Sequence, residues 1–110
     1  MLKGPAVSLV PSAAEKIGLA IHELGTNAMK YGALATSGGQ VQIETELNGE
    51  DVVMSWTETG GPAVNGVPER SGFGTQLSEI GITSQLSGEI QRCWHSTGLK
   101  VVMTMPAAHL

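Results

Sequence analysis

The sequence predicts an α+β domain in which helices cover one face of a mixed β-sheet. Some segments of the chain have apolar residues at helical spacing, and others alternate apolar and polar residues as strands do. A length of 110 residues suits a single domain built of two such layers. The predicted elements are two helices, at about 13–31 and 75–87, and four strands, at about 41–47, 52–57, 89–94 and 99–105.

Composition excludes several classes of protein. Lys and Arg number 6 against 10 Asp and Glu, and the resulting net charge of −4 argues against a basic nucleic-acid groove. No apolar run approaches the ~18 residues of a membrane span, and the first residues do not form a signal peptide. The single Cys93 excludes an internal disulfide and a multi-cysteine metal site. We expect a cytoplasmic domain without direct contact to nucleic acid or membrane.

The first helix is predicted from its two ends. An extended lead-in or short strand over residues 1–11 precedes Ser12 and Glu15, which match a capping box. Gly32 follows the last periodic residue, Tyr31, at the position where a left-handed residue commonly ends a helix. One apolar stripe, within about 60° on the helical wheel, is expected to face the sheet. Its members are Ile17, Ile21, Leu24 and Ala28.

Turn residues separate the remaining elements. Asn48-Gly49 is a strong hairpin signal between the first two predicted long strands, and residues 95–98 join the last two. Gly88 is expected to end the second helix. Residues 58–74 form a glycine-rich loop with almost no periodicity. Structureless loops beyond about 12–15 residues are usually functional.

A polar wedge lies beside the apolar stripe of the first helix. Glu23, Asn27 and Lys30 have i, i+4, i+7 spacing and therefore share one side of the helix. A carboxylate, an amide and an ammonium so arranged can orient a nucleophile, hold a divalent ion and meet phosphate oxygens. The alternative is a salt-bridged, solvent-exposed helix face.

The sequence around this wedge resembles a known motif. The run His22-Glu-Leu-Gly-Thr-Asn27-Ala-Met-Lys30-Tyr-Gly-Ala-Leu34 resembles the N box of sensor histidine kinases of the GHKL (Bergerat-fold) ATPase superfamily, in the form typical of the HWE family. The resemblance implies that Asn27 holds magnesium and that Glu23 orients or deprotonates the attacking imidazole. It also implies phosphate contacts from Lys30, an ATP contact from Tyr31, and a supporting catalytic role for His22.

A second motif lies at the end of a predicted strand. Trp56 and Glu58 precede the glycine pair Gly60-Gly61, which lets a ligand approach the backbone. This segment resembles the first glycine box in its HWE form, which implies that Glu58 binds the amine of adenine. Trp56 itself is interpreted as a buried anchor of the strand.

A third motif precedes the second helix. Gly72-Phe73-Gly74-Thr75 resembles the second glycine box, and free N–H groups at a helix N-terminus suit phosphate oxygens. Residues at about 62–71 would then form a short ATP lid. Arg70, within it, either reaches the terminal phosphates or is simply solvated.

The resemblance implies a catalytic domain separated from its substrate. His95 and His109 are interpreted as surface residues, so the phosphoacceptor histidine is expected on an upstream dimerisation domain outside this chain. Expected partners are that domain and a response regulator, and expected cofactors are ATP and magnesium. The alternatives are a serine kinase of the anti-sigma type on the same fold and a nucleotide-binding or docking module without turnover.

Overall fold

Five strands form one mixed sheet in the computed structural model, which describes residues 2–5, 7–61 and 73–110. The strand order is β1-β2-β3-β5-β4, with β1 parallel to β2 and every other pair antiparallel. The strands are β1 (Leu2–Lys3), β2 (Gln40–Asn48), β3 (Asp51–Thr59), β4 (Glu89–His95) and β5 (Gly98–Pro106). The helices are α1 (Pro11–Tyr31) and α2 (Phe73–Ile80), and α2 continues into a π-helical turn, Gly81–Gln85.

Helix α1 begins earlier than predicted, and the capping-box prediction is wrong. Pro11 occupies the first turn and Val10 is the N-cap, without any side-chain hydrogen bond to the helix N-terminus. Proline suits this position because its missing N–H would have no helical acceptor there and its fixed φ is already helical. The N–H of Val10 instead donates to the carbonyl of Leu110 at 2.8 Å.

Helix α1 ends at Gly32, as predicted, but not in the predicted conformation. Gly32 has φ −114° and ψ −148°, outside the left-handed region, and its N–H donates to Ala28 O at 3.1 Å. A Cβ at this position would collide with Oε1 of Glu58. Glycine is therefore needed for space beside that carboxylate and not for a positive φ.

The buried face of α1 packs on the sheet to form the core. As predicted, Ile17, Leu24 and Ala28 are buried. Ala20 is also buried, although it was not predicted to be, and Ile21 is only half-buried. Alternate residues of β3 and β5 supply the facing side of this core. Although α1 is 21 residues long, no helix among the described residues is long and apolar enough to cross a membrane. Core residues from the strands are Val52, Trp56, Leu99, Val101, Met103 and Met105.

The two predicted hairpins are present. In the first, Asn48 pairs with Asp51 across a loop of Gly49 and Glu50, and Gly49 has φ 63°. In the second, His95 pairs with Gly98. The two hairpins are joined by a separate antiparallel pairing of β3 with β5.

Helix α2 starts at Phe73, two residues before its predicted start. After the π-helical turn, Ser87 takes the left-handed conformation, with φ 55°, next to Gly88, which was expected to end the helix. Gly88 is needed because a Cβ there would lie 2.8 Å from Thr104 O. An ion pair ties α2 to β4, with Arg92 Nη2 2.7 Å from Glu79 Oε1.

An apolar cavity of about 120 Å³ lies beneath the lead-in segment. Val52, one of its lining residues, lies six positions along β3 from Glu58, about 20 Å in an extended strand. The cavity therefore lies at the other end of the sheet from the predicted site. Its lining residues are Val7, Leu9, Ile17, Thr45, Val52, Met54, Met105 and Leu110.

Candidate functional site

Strand β3 ends in a buried carboxylate. Trp56 and Glu58 lie two residues apart on the helix-covered face of the sheet and are only 4% and 5% exposed. The indole Nε1–H of Trp56 donates to Oε2 of Glu58 at 2.9 Å, and the backbone N–H of Ala33 donates to Oε1 at 3.1 Å. A carboxylate taken out of water is costly unless donors replace the lost water. These two hydrogen bonds allow Glu58 to be buried here.

The segment after α1 brings the helix to this carboxylate. Gly32 follows the helix directly, and the buried Ala33 opens a 3₁₀ turn, Ala33–Ala35. Further on, Thr36 Oγ1 donates to the carbonyl of Gly60 at 3.1 Å. The end of α1 and the end of β3 therefore form a single junction, which we call the α1–β3 junction.

The two glycines after β3 are required by packing within this junction. Gly60 has φ 76°, a conformation that L side chains rarely adopt. A Cβ at Gly61 would lie 2.8 Å from the N atom of Ala33, and one at Gly60 would lie 2.8 Å from Gly38 O. Close approach of two backbone segments thus explains both glycines, in addition to the ligand approach expected from the sequence.

The polar wedge of α1 runs toward the α1–β3 junction. Glu23 and Asn27 are half-buried, and each interacts with another group. Lys30 and Tyr31 are exposed at the end of the helix, Tyr31 by 69%. His22 is exposed, and its carbonyl oxygen accepts a hydrogen bond from Thr26 Oγ1 at 2.9 Å. The wedge therefore combines the half-buried side-chain oxygens of Glu23 and Asn27 with the exposed ammonium group of Lys30.

The structure brings two of the three predicted motifs together. The first motif ends where Gly32 and Ala33 contact Glu58 of the second. In the third motif, Phe73, Gly74 and Thr75 form the first turn of α2. Gly72, Arg70 and the predicted lid at 62–71 lie outside the described residues.

The donor set of the wedge fits magnesium better than a transition metal. Within residues 2–5, 7–61 and 73–110, no three His, Cys, Asp or Glu side chains are grouped to hold a metal ion. Magnesium prefers oxygen ligands and is usually bound by one or two protein oxygens together with waters and substrate phosphates. The amide oxygen of Asn27 is a ligand of this kind.

Several known histidine kinases are similar to this chain in sequence. No family model matches it. Blue-light-activated histidine kinase 1 of Erythrobacter litoralis is 41% identical over 107 residues, covering 94% of this chain and 29% of the relative. The blue-light-activated histidine kinase of Rhizobium johnstonii is 30% identical over 110 residues, covering 98% of this chain and 32% of the relative.

Solved structures agree with these relatives. The histidine kinase domain of the Erythrobacter litoralis EL346 kinase superposes with a TM-score of 0.80 at 21% identity, over 97% of this chain and 53% of that one. The chain belongs to the same family as these histidine kinases. The catalytic domain of histidine kinase ThkA has the same fold, with a TM-score of 0.72 at 16% identity, over 96% of this chain and 76% of that one.

The chain spans about a third of the length of these two curated relatives. Its fold confirms the predicted α+β sandwich, and its relatives confirm the predicted family.

Two groups that hold Glu58 in place were not predicted from the sequence. The hydrogen bond from the indole N–H of Trp56 could have been predicted, because residues i and i+2 of a strand share a face and a buried carboxylate needs a donor. The hydrogen bond from the N–H of Ala33 could not, because every non-proline residue offers a backbone N–H.

Proposed function

We propose that this domain binds ATP with magnesium and transfers the γ-phosphoryl group to a histidine on a separate dimerisation domain. From there the group would pass to an aspartate of a response regulator. The observation that carries the proposal is the α1–β3 junction, where the buried Glu58 carboxylate meets the end of the helix bearing Glu23 and Asn27. The curated relatives named histidine kinases support a histidine acceptor over the serine acceptor considered above.

Glu58 is suited to select adenine. A carboxylate has two oxygens with about four acceptor sites, of which Trp56 and Ala33 use two. The remaining sites can accept from the exocyclic amine of an adenine base. Because the carboxylate is buried and held by two donors, such a hydrogen bond forms without ordering a flexible side chain.

The phosphates would lie along the polar wedge of α1. A bound magnesium ion would neutralise negative charge on the phosphates during transfer. Asn27 would hold it through its amide oxygen, while Lys30 and the lid residue Arg70 would neutralise phosphate charge. Tyr31 and the glycine-box residues Gly60, Gly61, Gly72, Phe73, Gly74 and Thr75 would complete the nucleotide contacts.

Glu23 would act on the incoming nucleophile. An imidazole attacks phosphorus through an unprotonated nitrogen, so a carboxylate at its other nitrogen can orient the ring and accept its proton. Glu23 lies one helical turn before Asn27, beside the place where the phosphates would be held. His22 is exposed and would support this arrangement from the neighbouring helix face.

The acceptor and the cellular setting follow from the same proposal. The curated relatives are about three times longer than this chain, which supports a linked dimerisation domain with the phosphoacceptor histidine. The domain itself would act in the cytoplasm, where ATP and response regulators are present.

We expect the chain to bind ADP and ATP in the presence of magnesium, and Glu58→Ala to weaken that binding. The loss should be about 10- to 100-fold, because the variant removes a hydrogen bond to a charged group worth roughly 1.5–3 kcal/mol. Isothermal titration calorimetry with magnesium measures both affinities. Glu46→Ala, which removes an exposed carboxylate of β2, is the matched control and should bind as the wild type does.

Melting curves are needed beside the titrations. Glu58→Ala also leaves the N–H groups of Trp56 and Ala33 without their acceptor, so some loss of stability is expected. A folded wild-type sample that binds neither nucleotide with magnesium present would refute the proposed function.

A further inference from the structure

We propose that Trp56 is a positioning residue that sets adenine specificity by fixing the orientation of the Glu58 carboxylate. The inference rests on the proposed role of Glu58 in binding adenine. It goes beyond that role because Trp56 would act without touching the nucleotide.

The indole of Trp56 connects three parts of the domain. Its ring is part of the core between sheet and helix, and a Cβ added at Gly25 of α1 would lie 3.9 Å from its Cη2 atom. At its other edge, Nε1–H donates to Oε2 of Glu58 at 2.9 Å. Core packing therefore fixes the ring, and the ring fixes one oxygen of the carboxylate.

The second oxygen is fixed independently. The N–H of Ala33 donates to Oε1 at 3.1 Å, and a Cβ at Gly32 would collide with that oxygen. With a donor on each oxygen, the plane of the carboxyl group can no longer rotate about its last side-chain bond. Loss of the indole donor would free this rotation while leaving the negative charge in place.

The same geometry requires an acid at position 58. Glutamine has one oxygen and one NH₂ group, so it would have to present its NH₂ to the N–H of either Trp56 or Ala33. Two donors facing each other in a buried site are unfavourable. The pair of donors thus selects a carboxylate, whose remaining lone pairs can accept from an adenine amine.

Trp56→Phe tests the inference, with Trp94→Phe as its matched control. Both changes replace an indole with a phenyl ring, and Trp94 packs against the same core from β4. Binding of ATP and of inosine triphosphate is measured by calorimetry with magnesium present. Inosine has an oxygen where adenine has the amine, so the ratio of the two affinities reports the contact to Glu58.

For Trp56→Phe alone, we expect a lower ATP affinity and a lower ratio of ATP affinity to inosine triphosphate affinity. Both should fall by about three- to tenfold, the usual net effect of losing one hydrogen bond. Trp94→Phe should keep the ratio within about twofold. A Trp56→Phe protein that keeps the wild-type ratio, even at lower overall affinity, would show a purely structural role and overturn the inference.

An isosteric replacement covers the case in which Trp56→Phe does not fold. Incorporating 3-benzothienylalanine at position 56 keeps the ring size and puts sulfur in place of the N–H group. The same fall in the ratio is expected, and an unchanged ratio would again overturn the inference. Failure of the wild type to bind ATP would instead refute the proposed function, and the inference with it.

The requirement for an acid gives an independent readout in thermal melting. Glu58→Gln should lower the melting temperature of the wild type more than it lowers that of Trp56→Phe, because the clash of donors is gone in the latter background. Equal shifts in the two backgrounds would mean that the indole and the carboxylate are not coupled.

Discussion

Asn27→Ala is expected to remove magnesium-dependent nucleotide binding and, in the full-length kinase, phosphoryl transfer. The amide oxygen of Asn27 is the proposed protein ligand of the ion, and alanine offers no replacement. Even residues that only support metal ligands cost about 10- to 100-fold in metal affinity or activity when they are changed. We therefore expect at least that loss in ADP affinity, measured by calorimetry with and without magnesium.

Asn27→Asp is the control for this prediction. Aspartate keeps an oxygen donor of similar reach, so magnesium-dependent binding should persist. Asn27 is half-buried beside the core residue Ala28, and melting curves will show whether each variant is folded. A folded Asn27→Ala protein that binds ADP in magnesium as tightly as the wild type does would remove Asn27 from the metal site.

Glu23→Gln is expected to separate nucleotide binding from chemistry. Glutamine keeps the size of the side chain but cannot accept the proton of an attacking imidazole. Phosphoryl transfer should fall by roughly 10²–10⁴, the usual contribution of a positioned acid or base. The affinity for ATP should stay within a few-fold, because Glu23 is assigned to the nucleophile and not to the nucleotide.

Glu15→Gln provides the matched control, since Glu15 is an exposed carboxylate on the same helix. It should change neither transfer nor binding. Single-turnover labelling of the full-length kinase measures transfer, and calorimetry measures binding. If Glu23→Gln lowered ATP affinity as much as it lowered transfer, Glu23 would belong to the nucleotide site.

Periodicity and turn residues were sufficient to predict most of the fold. The alternating residues of β2 and β5 and the Asn48–Gly49 turn depend on local chemistry that the sequence displays directly. The helix ends were harder because competing signals were present. Pro11 starts α1 before the Ser12 capping box can form, and Ser87 adopts the left-handed conformation next to a glycine.

The site was predictable in its residue types but not in its contacts. The spacing of Glu23 and Asn27 follows from helical geometry, and the acid at position 58 follows from the motif. The contact between Ala33 and Glu58 joins residues 25 positions apart, and nothing in the local sequence encodes it. Gly32 illustrates the same limit, because its role depends on a carboxylate from another element.

Labelling with γ-³²P-ATP shows whether this domain phosphorylates a histidine on a separate domain. The chain is incubated with magnesium, alone or with the histidine-bearing dimerisation domain of a full-length kinase. We expect no label on the isolated chain. Label on the added domain should be lost in acid and retained in base, as is typical of phosphohistidine. Acid-stable label on the added domain, or comparable self-labelling at His22, His95 or His109, would contradict the proposed function.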